Sequence, residues 1–193
     1  VSRVTFYPDY TYSQFVGCFK PMTEFVDAED GTKGTTITYR YVFGPFLRIY
    51  VEACKHPEQN HLLIVEEINR ANPVAVFGDV FQLLDRRMDG RSEYPVDTPE
   101  EMRNQLASVL GGSDVSVDKL VIPQNMYIWA TMNSADQGVF PMDTAFKRRW
   151  DFRYMGINDG ESAVVEGVPL SEIVVPCGGR RVVWNKLRRA INQ

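Results

Sequence analysis

An α/β fold built on a parallel sheet is what this sequence predicts, and three observations predict it. Leu62-Leu63-Ile64-Val65 is a short aliphatic run without polar alternation, the pattern of a strand covered on both faces, and it ends abruptly in Glu66-Glu67-Ile68-Asn69-Arg70. A second such run, Met126 to Thr131, again ends in polar chemistry at Asn133 and Asp136. Helical patterns lie between the two, so strands and helices alternate as in βαβ units. Ligands of open α/β sheets gather at the carboxyl ends of such strands, which makes these two strand ends the candidate site.

The elements follow in order along the chain. Val4 to Tyr7 reads as a strand closed by Pro8, and Tyr12 to Phe19 carries aromatics at helical spacing ahead of Pro21. Gly31 to Gly34 has hairpin-tip chemistry and leads into the β-rich run Thr35 to Phe43, an insertion at the rim. Pro45 opens a helix with Phe46, Ile49, Tyr50, Ala53 and Cys54 on one face and Pro57 as its stop. After the acidic strand, Asn72-Pro73 supplies a cap and a first helical residue, with Val74, Phe77, Phe81 and Leu84 as the buried stripe. Met88 to Pro95 reads as loop. Thr98-Pro99-Glu100-Glu101 resembles a capping box for a helix that buries Met102, Leu106 and Val109 and stops at Gly111-Gly112. Beyond the second strand, Pro141 to Arg149 is a short helix whose three terminal cations suit its dipole, Trp150 to Tyr154 alternates like a strand, and Trp184 to Ile191 has helical spacing.

Composition bounds the function. With 193 residues, 44% hydrophobic and 12% aromatic, the chain is long enough for one domain with a real core, and whole-chain disorder is excluded. A formal net charge of −4 argues against a surface built mainly to hold nucleic acid, so DNA contacts are expected through regions outside this chain. No apolar stretch reaches membrane-spanning length and Val1-Ser2-Arg3-Val4 lacks a signal-peptide layout, which predicts a soluble cytoplasmic protein. Cys18, Cys54 and Cys177 are isolated and suit reduced thiols; Cys54, His56 and His61 lack a fourth ligand at zinc spacing. The first residue is Val and the chain stops within a helical pattern, so a piece of a longer polypeptide is expected.

The polar strand ends fit one chemistry jointly. Phosphoryl transfer needs charge on the γ-phosphoryl oxygens met by Mg²⁺, amides and cations while a water is held in line. Two adjacent carboxylates can divide that work, Glu66 holding Mg²⁺ through water and Glu67 orienting or deprotonating the attacking water. Asn133, Asp136 and the paired Arg148 and Arg149 supply the rest.

Glu66-Glu67-Ile68-Asn69-Arg70-Ala71-Asn72, Phe77-Gly78-Asp79, Ala130-Thr131-Met132-Asn133-Ser134-Ala135-Asp136 and Ala145-Phe146-Lys147-Arg148-Arg149-Trp150 together resemble the McrB-type AAA+ NTPases, motor subunits of modification-dependent restriction systems. The opening Thr5-Phe6-Tyr7-Pro8-Asp9-Tyr10 with Tyr12 and Phe15 is similar to that family's second strand and following helix. The resemblance implies a Walker B pair at Glu66 (metal) and Glu67 (catalytic), sensor 1 at Asn133 with Asp136 as helper, and Arg148 and Arg149 presented to nucleotide on a neighbouring subunit. It also implies that Arg70 reaches across or structures the interface. The implied assembly is a homo-oligomeric ring, usually a hexamer, using Mg²⁺ with ATP or GTP and working with a nuclease subunit.

Three departures stand out. Glu66 occupies the usual Asp position, Asp136-Gln137-Gly138 replaces the common Asp-Arg-Ser, and no G-x-x-x-x-G-K-[ST] loop occurs in the chain. The expectation is therefore a partial AAA+ (P-loop NTPase) core lacking its first strand and P-loop, with residues 1–183 as large subdomain and 184–193 as the start of a helical lid. A catalytically degenerate ring scaffold and a MoxR-like remodelling ATPase are the alternatives.

Overall fold

Strand β1 (Ser2–Thr5) opens the chain and ends two residues before the expected Tyr7, because the Tyr7 carbonyl accepts from Tyr10 N at 2.9 Å and starts a turn through Pro8. The helix expected over Tyr12 to Phe19 is a single turn, α1 (Tyr12–Phe15), and Gly17 already belongs to a strand. Strand β2 (Gly17–Asp27) pairs antiparallel along its whole length with β3 (Lys33–Phe43), and this long ladder overrides the local helical spacing of the aromatics. Gly17 makes the change of direction possible at φ 147°, where a Cβ would meet the Val42 carbonyl at 2.6 Å. Gly44 N donates to Val16 O at 2.8 Å, so the hairpin's two ends meet. This computed structural model describes all residues except 28–32, 112–114, 134–135, 157–158, 160–162, 166 and 192–193, so the expected hairpin tip at Gly31 lies outside the described residues.

Helix α2 (Pro45–Lys55) carries Pro45 in its first turn and buries Phe46, Ile49, Tyr50 and Ala53. Its last carbonyls are closed by buried Asn125, whose Nδ2 donates to Ala53 O and His56 O, each at 3.0 Å. Strand β4 (His61–Glu66) follows and buries Leu63 and Val65. Helix α3 (Pro73–Phe77) has the expected Asn72 cap, with Oδ1 accepting from Ala75 N at 3.3 Å. The helix then breaks: Gly78, at φ 54°, passes the chain into a 3₁₀ stretch, Gly78–Leu84. The expected stripe is met in part: Phe77 and Leu84 are buried, together with Val76, Val80 and Leu83, whereas Val74 is exposed.

The next elements are β5 (Val96–Asp97), α4 (Glu100–Leu110), β6 (Lys119–Leu120), β7 (Met126–Ala130) and α5 (Thr144–Lys147). The capping box expected at Thr98 does not form. Thr98 N donates to Asp118 O at 2.9 Å as an extension of the β5–β6 pairing, and Pro99, which has no side-chain acceptor, occupies the cap position. The helix expected from Pro141 starts at Thr144, because Asp143 is its cap and accepts from Phe146 N at 2.6 Å. Trp150 to Tyr154 is irregular despite its alternation, having no partner strand among the described residues.

The sheet that positions the site is parallel, in the order β1-β4-β7, with Thr5 opposite Glu66 and Val65 opposite Ala130. One face, with Leu63, Val65 and Met126, is buried with Phe46, Ile49 and Tyr50 in a single core; on the other face Tyr127 and Trp129 are exposed. These elements form one compact unit, Val1–Trp150. A second unit, Asp151–Gln193, holds β8 (Val164–Val165), β9 (Val168–Pro169), β10 (Val174–Cys177), β11 (Arg180–Val183) and α6 (Trp184–Ile191), and the 183/184 boundary expected from the sequence falls inside it. No helix among the described residues is long and apolar enough to cross a membrane.

Two close contacts hold the first unit together and can be tested. The Arg86 guanidinium donates to Gly90 O at 2.6 Å, Met126 O at 2.7 Å, and Ile122 O and Pro123 O at 3.3 Å, and burial lowers its pKa to about 10. Arg86→Met strands these acceptors and is expected to lower stability by about 3 kcal/mol in urea unfolding, with Arg86→Lys recovering less than half, because one ammonium cannot span the acceptors. At Gly78 a Cβ would lie 2.7 Å from the Tyr12 ring, whose phenol is pushed up by burial and then by the Asp79 carboxylate. Gly78→Ala is expected to cost on the order of 2 kcal/mol by the same assay, from positive φ plus the displaced ring.

Candidate functional site

The site begins where β4 runs out. Glu66, the last strand residue, accepts at Oε2 from Thr5 Oγ1 at 3.0 Å, and Arg3 Nη1 stands 3.5 Å from Oε1. Its neighbour Glu67 leaves the strand at φ 55°, ψ 44°, and among the described residues it is the one non-glycine with positive φ. A side chain in the left-handed region costs about 1 kcal/mol, and such outliers concentrate at functional sites. What the kink achieves is a tight 3₁₀ turn, Ile68–Arg70, in which Arg70 N donates to Glu67 O at 2.8 Å.

That turn lays Arg70 back over Glu67. Arg70 Nε lies 3.4 Å from Glu67 Oε2, and Arg70 Nη2 donates to Asp136 Oδ2 at 2.5 Å. Asp136 Oδ1 in turn accepts from Asn133 Nδ2 at 2.9 Å. Glu67, Arg70, Asp136 and Asn133 are therefore one polar series joining the ends of β4 and β7, and Arg70 works here within its own chain. Ser134 and Ala135 of the same motif lie outside the described residues.

Two residues without an assigned role in the sequence reading position this series. Asn69 is 4% exposed; its Nδ2 donates to Asn133 O at 3.0 Å and its own carbonyl accepts from Phe140 N at 2.8 Å, so it brackets the loop that carries Asn133 and Asp136. Thr131 N donates to Val65 O at 2.9 Å and Thr131 O accepts from Ile68 N at 3.0 Å, extending the sheet beyond both strands. An amide placed between Ile68 and Arg70 is the available sequence signal for the first. Nothing local signals the second.

The two arginines belong to a different part of the unit. Arg148 caps the end of α5 and is exposed, whereas Arg149 is folded back against Asp85, with Nε 2.8 Å and Nη2 2.7 Å from Asp85 Oδ2. Its guanidinium carbon lies 4.2 Å from the centroid of the Phe81 ring. These contacts with Asp85 and Phe81 are ones that sequence reasoning missed, since the ion pair spans 64 residues.

For a divalent cation the donor chemistry is limited and specific. Among the described residues no cluster of three or more His, Cys, Asp or Glu side chains is arranged to hold a metal by itself. Glu66 offers one hard, partly exposed carboxylate beside the Thr5 hydroxyl. That set fits Mg²⁺, which takes one or two protein carboxylates and completes its shell with water and substrate phosphate.

A family described as AAA domain (dynein-related subfamily) matches residues 3–150. The chain is 41% identical over 206 aligned positions, covering all of its length, to the Type II restriction enzyme BsuMI component YdiS of Bacillus subtilis (strain 168). It is 28% identical over 152 positions, 79% of its length, to the Type IV methyl-directed restriction enzyme EcoKMcrB subunit of Escherichia coli (strain K12). It spans 58% of the first relative and 28% of the second. The matched stretch includes most of β1, Glu66 at the end of β4 and Glu67 after it, the Asn133–Asp136 loop and the arginines that follow α5, and the chain belongs to the AAA domain family, dynein-related subfamily, as an AAA+ chain of McrB type.

Proposed function

We propose that this chain is part of a nucleoside-triphosphatase motor, hydrolysing ATP or GTP with Mg²⁺, in a restriction or defence system. One observation carries the reading: Glu67, Arg70, Asp136 and Asn133 form a single hydrogen-bonded series at the carboxyl edge of a parallel sheet, with Glu66 at the adjacent strand position. In this reading Glu67 accepts a proton from, or aligns, the attacking water, while Arg70 fixes its carboxylate. Asn133 orients the same water against the γ-phosphate, and Asp136 fixes which way its amide points. Glu66 is the residue that would hold Mg²⁺, whose bound charge neutralises the phosphate oxygens.

Phosphate gripping is not among the functions of these residues, since the chain has no G-x-x-x-x-G-K-[ST] loop. The motor reading therefore draws that loop from elsewhere in the complete protein, and the exposed Tyr127 and Trp129 on β7 are consistent with a further element there. In the same reading α6 begins a helical lid, the subunits form a homo-oligomeric ring, usually of six, and a nuclease subunit and DNA engage other regions.

The alternative is a ring scaffold that has lost hydrolysis. Retention of the whole series from Glu67 to Asn133 favours hydrolysis, because assembly alone requires no such arrangement at a strand edge. Glu67→Gln in the complete protein is expected to leave nucleotide affinity within about threefold while lowering kcat by at least 100-fold, as for loss of a general base. Equilibrium binding and phosphate release measure the two quantities; wild-type turnover in that variant would remove Glu67 from the chemistry, and nucleotide binding without turnover in the unsubstituted protein would favour the scaffold.

A further inference from the structure

Arg148 and Arg149 are neighbours in sequence but differ sharply in their surroundings. The Arg149 side chain is 9% exposed; besides the Asp85 carboxylate, it has the Ala145 carbonyl, which accepts from Nη1 at 2.7 Å. Its guanidinium lies on the Phe81 ring, Phe81 is stacked on Phe146 at 5.2 Å and 10°, and Phe146 on Trp150 at 5.8 Å and 19°. A four-layer stack thus joins the 3₁₀ stretch that carries Phe81 to the turn that carries the arginines. Phe77 meets Phe146 and Trp150 edge-on and fixes the stack from the side. Arg148 is exposed and forms no ion pair among the described residues.

Reaching a neighbouring subunit with Arg149 would withdraw the counter-charge from Asp85, itself only 26% exposed, and uncover the Phe81 face. Arg148 carries no such cost. We propose that Arg149 is a positioning residue that clamps the turn after α5 to Asp85 and Phe81 of its own subunit, so that Arg148 is the guanidinium offered to nucleotide on the next one. This division of labour rests on the hydrolase reading above.

The test is steady-state hydrolysis by the complete protein, with assembly checked by sedimentation. Arg148→Ala is expected to lower kcat at least 100-fold in intact rings, the scale for loss of a trans arginine. Arg149→Gln and Asp85→Asn are each expected to lower kcat about tenfold with KM unchanged, and the double variant also about tenfold, because both remove one shared pair. The exchanged variant Asp85→Arg, Arg149→Asp should recover part of the loss, which a residue contacting phosphate cannot do. Where the exchanged variant does not fold, comparison of the two single variants with Asp85→Asn, Arg149→Gln decides.

Wild-type kcat in Asp85→Asn, or losses that multiply in the double variant, would overturn the positioning role. So would lower thermal stability with unchanged kcat in Arg149→Gln, which marks a purely structural residue. Normal kcat in Arg148→Ala would overturn the role given to Arg148. These results differ from failure of the underlying reading: absence of turnover in the unsubstituted complete protein removes the hydrolase assignment and the positioning role with it.

Discussion

Strand β4 is paired on both sides by parallel neighbours, and the pairing continues beyond its last residue. Phe6 N donates to Glu66 O at 2.9 Å on one side, while Thr131 N donates to Val65 O and Thr131 O accepts from Ile68 N on the other. Each such bond contributes only about 1 kcal/mol net, but together they fix a register. A slip of one residue would exchange the faces of Val65 and Glu66, placing a carboxylate in the core and turning the site inside out. The buried Leu63 and Val65 make that slip unfavourable, so the same apolar residues that stabilise the fold also aim the acidic ones.

Polar contacts then do what the ladder cannot, which is to orient side chains. Arg70 and Glu67 are both about two-fifths exposed, at 42% and 39%, so their ion pair contributes little to stability, in the range of 0–1 kcal/mol. Its consequence is geometric: one guanidinium planted between Glu67 and Asp136 ties the end of β4 to the loop after β7. Asn69, buried, holds the same loop through the Asn133 carbonyl and the Phe140 amide. The left-handed Glu67 makes both possible by reversing the chain within one residue.

The segment from Glu67 to Asp85 joins two pieces of chemistry. It starts at the polar series and ends in the Phe81 and Asp85 contacts with Arg149. Asn72 capping α3 and the break at Gly78 set its path, and the Tyr12 ring against Gly78 secures it to α1. Packing of aromatic rings, rather than ion pairing at the surface, is what makes this segment a defined spacer.

The sequence by itself determined the elements whose signals are local. The aliphatic runs of β4 and β7, the Pro45 helix with its Phe46, Ile49 and Tyr50 face, and the Asn72 cap are written in neighbouring residues, as are the motifs that carry the family resemblance. Tertiary structure decided what depends on partners far along the chain. Tyr12 to Phe19 became one helical turn and a strand because β3 was there to pair, Thr98 lost its cap to pairing with Asp118, and Trp150 to Tyr154 stayed irregular without a partner strand among the described residues. The distinct surroundings of Arg148 and Arg149 belong to the same class. Adjacent residues of one type carry the same local signal, and only Asp85 and Phe81, brought in by folding, give their side chains different work.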